Sequence, residues 1–185
     1  MKWLLIVVVA VVVLAVVIWL AGTIIPRGHQ ASSRITVAEP PAQVWSVVRD
    51  FAALPSFWAD LRGVERLPDR GGVEAWKQTM KNGFDLVLLV TEDSAPRRMV
   101  TTIDAPPGAA FGGRWIYELE PVAGGTQVTI TEDGWIDNRF FRVVSRATGY
   151  HGTLDRYLKA LGAKLEAKGA PVHLQAGEIA QLRSR

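Results

Sequence analysis

The stretch Ile35–Leu61, ITVAEPPAQVWSVVRDFAALPSFWADL, decides the fold. A short apolar run from Ile35 to Ala38 ends at Pro40-Pro41. Such a pair has no place inside a central strand, because proline brings no N–H to the ladder. At the first position of a helix that N–H would lack a partner anyway. From there Val44, Trp45, Val47 and Val48 give a one-sided apolar helix. Asp50 then stands ready to cap a second short turn carrying Phe51, Leu54, Phe57 and Trp58. The order is strand, two brief helices and then strands.

Upstream lies a different kind of segment. From Trp3 to Ile25 the chain carries no charge and is mostly Val, Leu and Ile. As a helix it spans about 34 Å, against a bilayer core of about 30 Å. Trp3 and Trp19 lie toward its ends, where indoles favour the headgroup region. A secretory apolar core runs only about 7–15 residues, so residues 3–25 are expected to be an uncleaved transmembrane helix contacting the lipid bilayer. The chain is then a single-pass membrane protein. Lys2 and the α-amine on one side nearly balance Arg27 and Arg34 on the other; an ordinary signal-anchor orientation, with the domain extracytoplasmic, is expected. Residues 26–34 read as a short polar linker, with the first strand starting a few residues before Ile35.

Composition removes several functions. Without cysteine there are no disulfides, thiolate chemistry or cysteine metal sites. His29, His151 and His173 are the three histidines, with no HxxxH or HExxH spacing, so no metal and no cofactor are expected. Setting aside Lys2 and Arg27, the 21 Lys+Arg fall to 19 against 18 Asp+Glu. That balance lacks the clustered excess of a nucleic-acid binder.

Downstream, apolar runs alternate with turn signals. Strands are expected at 64–68, 73–80, 84–91, 98–104, 114–120 and 126–136, with turns at Asp69–Gly72, Asn82-Gly83, Ala95–Arg97 and Val122–Gly125. A long helix is expected at about 138–168, capped by Asp137 or Asn138. Phe140, Val144, Ala147, His151, Leu154, Leu158, Leu161 and Leu165 would form one stripe laid on the sheet, with Arg139, Arg142, Arg146, Arg156 and Lys159 largely opposite. Residues 169–185 read as a frayed polar tail. Consecutive hairpins followed by one helix argue an antiparallel α+β domain.

If 114–120 and 126–136 form a hairpin, facing positions sum to about 247. Trp115 then faces Glu132, Tyr117 faces Ile130 and Leu119 faces Val128 on the apolar inner face, while Arg114 and Asp133 pair outside. Glu132 is the odd member: either a carboxylate paired or hydrated near the sheet end, or a polar anchor for a ligand head group. His151 has the same two readings, as a satisfied boundary residue or as a group beside the space left by Gly149 and Gly152. Trp76, Trp115, Tyr117, Trp135, Phe140 and Tyr150 either fill the core or line a pocket. No serine has a nucleophile-elbow context.

The pieces ITVAEPPAQVWSVVRD, DFAALPSFW, GGRWIYELEP and GGTQVTITEDG, closed by a helix, occur here in an order that resembles the START-like, or SRPBCC, superfamily. The resemblance is nearest to its polyketide cyclase/dehydrase-type branch and runs over residues 32–168. It implies a helix-grip fold over residues 35–168, an antiparallel sheet wrapped around a long C-terminal helix. It also implies a cavity for a hydrophobic small molecule or lipid. No catalytic residue carries over, because the superfamily has no shared catalytic signature. The leading reading is a membrane-anchored binding module rather than an enzyme, with Trp76, Trp115, Tyr117, Glu132, Tyr150 and His151 as candidate cavity lining. The alternatives are an aromatase/cyclase-like enzyme in which Glu132 or His151 moves protons, and an interaction protein with a filled core.

Overall fold

Proline begins the second helix, as the double-proline reading requires. In the computed structural model, which describes residues 2–175 and 177–179, α1 (Lys2–Ile24) leads into β1 (Gly28–Val37) and α2 (Pro41–Arg49). Pro41 occupies the first turn of α2. A 3₁₀ segment (Phe51–Ser56) follows, with the Asp50 side chain accepting from Ala53 N. Six strands come next: β2 (Leu61–Arg70), β3 (Val73–Met80), β4 (Asp85–Ser94), β5 (Arg98–Ile103), β6 (Phe111–Val122) and β7 (Gly125–Ile136). The described chain ends with α3 (Arg139–Thr148), α4 (Gly152–Lys164) and the two-residue β8 (Val172–His173).

The strands make one antiparallel sheet of order β2-β3-β4-β5-β6-β7-β1-β8. Its concave face holds α4, giving the helix-grip α+β architecture. Leu154, Tyr157, Leu158 and Leu161 of α4 are buried against Ile35, Val37, Val128 and Ile130, with Val44, Val48, Phe51 and Leu54 closing one end. Register follows the alternation: Trp115 faces Glu132, Tyr117 faces Ile130 and Leu119 faces Val128. Arg114 donates to Asp133 at 2.9 Å.

Three expectations need correction. The segment 28–34 is not linker but strand: Gly28–Val37 pairs with β7 along its whole length, which places Ala31, Ser32 and Ser33 in the interior. Small polar residues gave no apolar alternation there, so neighbouring strands and not propensity decide the conformation. The closing helix is broken. Gly149 takes φ 83°, a conformation that stops a helix at low cost only for glycine, and α4 restarts after His151. As a result α3 does not lie on the sheet: Phe140 and Phe141 are exposed and Arg142 is buried. Finally, part of the tail is docked. Val172 and His173 pair with β1, and Leu174 and Ile179 are buried; residues 176 and 180–185 lie outside the described residues.

Candidate functional site

Between the inner sheet face and the helices lies a cavity of about 540 Å³, a size typical of small-molecule sites. Aliphatic walls come from Met80, Leu86, Leu88 and Ile103, inward positions of β3, β4 and β5. Trp58 and Trp115 form an aromatic end. Behind them Tyr157 meets Trp58 edge-on at 5.1 Å and Trp115 at 5.9 Å. Gln78 and Thr101 are buried polar groups on the wall.

Four of the six candidate residues line this space: Trp115, Tyr117, Glu132 and Tyr150. Trp135 lines it as well, and Gly149 and Gly152 border it. Trp76 does not; it packs on Phe51 at 5.4 Å and donates its indole N–H to Glu74 at 2.6 Å. That places it at the closed end, above the Arg49–Glu74 ion pair. His151 is also outside. It precedes α4 and stacks on His173 at 3.9 Å, and His173 in turn bonds Asp155 at 2.8 Å. Phe140 points away from the cavity, and its neighbour Phe141 takes the lining position.

The residue that sequence reasoning missed is His29. Extending β1 back to Gly28 puts His29 opposite Gly134 and on the inner face with Glu132. Its Nε2 lies 2.8 Å from Glu132 Oε1, within hydrogen-bond distance. Trp115 Nε1–H donates to the other oxygen at 3.0 Å. Both oxygens of the odd carboxylate are thereby held. The His29 ring stacks on Tyr150 at 4.2 Å and is only 8 % exposed, and its Nδ1 is buried without a partner. A Cβ on Gly134 would sit 2.8 Å from His29 Cε1, so the glycine makes room for the ring. The alternation His29, Ala31, Ser33, Ile35, Val37 was the available signal, weakened by its small polar members.

Burial pushes the phenols of Tyr117 and Tyr157 upward, so both stay neutral; the bond from Tyr117 to Thr101 only partly offsets this. Burial, aided by the nearby His173, lowers His151, against the pull of Asp155 and Glu132. At the cavity margin Arg156 is tied to Asp60 at 2.6 Å and Arg114 to Asp133. Among the described residues no group of three His, Cys, Asp or Glu side chains is arranged to hold a metal.

A helix-grip sheet closed over an aromatic, mostly apolar cavity defines a START-like module. The model of the family described as polyketide cyclase / dehydrase and lipid transport matches residues 28–166, and the chain belongs to that family. Similar solved structures include a START superfamily protein from Mycobacterium smegmatis, at 17 % identity and TM-score 0.58, covering 75 % of this chain and 97 % of that one. Another is the Zhui aromatase/cyclase from Streptomyces sp. R1128, at 15 % identity and TM-score 0.58, covering 75 % and 94 %. A third is the di-domain aromatase/cyclase StfQ from the steffimycin biosynthetic pathway, at 10 % identity and TM-score 0.60, covering 75 % of this chain and 51 % of that one. These likenesses are of fold. No curated protein matches. Membership is consistent with a module that binds a hydrophobic small molecule or acts as a polyketide cyclase. Helix α1 is long and apolar enough to cross a membrane.

Proposed function

We propose that the chain is a membrane-anchored binding module that holds a hydrophobic small molecule or lipid between the sheet and the helices. The cavity carries this reading: about 540 Å³ of space with aliphatic and aromatic walls and few polar groups. Burying an apolar ligand there is favoured by about 25 cal/mol per Å² removed from water. The Trp115–Glu132–His29 group supplies one polar patch to orient a head group. Anchoring through α1 suits such a ligand, which is most concentrated at the bilayer.

Fluorine NMR of the full chain labelled with fluorotryptophan tests this in detergent micelles. Addition of a bacterial lipid extract is expected to shift the Trp58 and Trp115 resonances, assigned by Trp→Phe variants. Trp45, buried between α2 and the sheet, serves as the unmoved reference. No shift at Trp58 or Trp115 contradicts the reading.

The His29–Glu132 contact favours a second reading. It is the acid–base pair that an aromatase/cyclase-like enzyme needs at a cavity wall, with His29 in place of His151. That reading expects Glu132→Gln and His29→Ala to abolish turnover of a polyketide-like substrate while the cavity still binds it. Binding of such a substrate by the natural sequence without any turnover supports the binding module alone.

A further inference from the structure

The helix α3 combines two features that the cavity does not explain. First, it is clamped to the C-terminal end of α1. A Cβ on Gly22 would fall 2.5 Å from the Arg139 carbonyl oxygen, so the two helices touch backbone to backbone there. The buried Arg142 donates to the Ile25 carbonyl at 3.0 Å and to the Asp137 carbonyl at 2.8 Å, satisfying an orphan acceptor at the end of α1. The Arg139 guanidinium lies 4.6 Å from the centre of the Trp19 ring. The contacts with the anchor fall on Trp19, Gly22 and Ile25, at the end of α1 and just past it, about 9 Å of chain at helical rise.

Second, α3 turns apolar side chains outward. Phe140 is 52 % exposed, Phe141 55 % and Val144 39 %. The patch continues onto the strands. Phe111, at the start of β6, is exposed and packs on exposed Phe84 at 5.6 Å. Asp137 N donates to Ala110 O at 2.7 Å, tying the start of α3 to that strand end. Phe111 and Phe141 both line the cavity, so the patch is its rim. Arg139 and Arg146 of α3 are exposed as well.

We infer that α3 lies in the headgroup layer of the bilayer that α1 spans, with the Phe84, Phe111, Phe140 and Phe141 rim facing the lipid, so that the cavity opens into the membrane interface and not into water. The inference rests on the anchor reading of α1. With α1 in a bilayer, residues 19–25 lie where the helix leaves the hydrocarbon, and the clamp holds α3 at that depth. Phenylalanines on one side and arginines able to meet lipid phosphates are the composition of an interfacial helix. An apolar ligand then passes between bilayer and cavity without crossing water.

The cysteine-free chain allows a direct test. Full-length protein carrying a single spin-labelled cysteine at Ala147, exposed on α3, is reconstituted in phosphatidylcholine/phosphatidylglycerol vesicles, and collision rates with oxygen and with a nickel chelate give the label's depth. A second protein carries the label at Val12, in the middle of α1. The label at 147 is expected at headgroup depth, poorly reached by nickel, and Phe140→Glu with Val144→Glu is expected to move it into water. Neither of those two residues lines the cavity, so a ligand-dependent readout stays intact. A water-like label at 147 with a deep label at 12 overturns the docking of α3 and leaves the anchor standing. Water-like labels at both positions overturn both.

Discussion

At the scale of single residues the site depends on one glycine. Gly134 gives the His29 ring a seat from which it reaches Glu132, and Gly134→Ala pushes a methyl to within 2.8 Å of that ring. The ring has no free direction to retreat, since Tyr150 stacks on it and Glu132 holds it. Gly134→Ala is expected to lose about 1–3 kcal/mol in chemical denaturation, as overpacked sites do. Removing the ring as well, in the pair His29→Ala/Gly134→Ala, is expected to recover part of that loss. Additive losses would contradict the clash. A second prediction concerns pH. Burial lowers His151 in the folded chain, so the unfolded chain takes up the proton first. The stabilising difference is full above the unfolded value near 6.5 and is lost as pH falls through it and then through the folded value. Denaturation midpoints between neutral and mildly acid pH are therefore expected to fall less steeply for His151→Phe, which keeps a ring against His173. Parallel slopes for the two proteins would count against it. Glu132 as the odd inward carboxylate was legible from strand alternation. Its partner was not, because His29 lies in a run of small polar residues whose strand character comes from β7.

Among elements, the break between α3 and α4 matters most. Periodicity alone reads 138–168 as one helix, since apolar residues recur at helical spacing on both sides of Gly149. What periodicity cannot report is which neighbour each half faces. The second half meets the sheet, and the first half meets α1, just past whose end the Ile25 carbonyl accepts from Arg142. The strands and their hairpin register, by contrast, were legible, because alternation and Gly-containing turns are local. Gly149→Ala places a β-carbon at φ 83° and is expected to destabilise the chain by about 1 kcal/mol, read as a lower thermal midpoint. Arg142→Met removes two hydrogen bonds from a charged donor while keeping the length of the stem. Such bonds are worth about 1.5–3 kcal/mol each. Faster amide exchange in residues 22–25 and 139–148, with β6 and β7 unchanged, is the expected signature. Unchanged exchange in α3 would show that α1 and α3 are held by something else.

For the molecule as a whole, one sheet, one gripping helix and one apolar helix place an aromatic-rimmed cavity beside a membrane-length segment. The family and fold were legible from the order of motifs. The open cavity was not, because Trp58, Trp115 and Tyr117 plug or line a space depending on how far α4 stands from the sheet. Whether that space holds a ligand is read most directly by native mass spectrometry of the full chain, of 20.3 kDa, released from detergent micelles. One hydrophobic adduct per chain is expected for the natural sequence. It should be missing from Ile103→Trp, which fills the cavity from its β5 wall while α1 stays intact. A bare mass for the natural sequence, or an adduct that survives Ile103→Trp, would contradict a ligand held in the sheet–helix cavity.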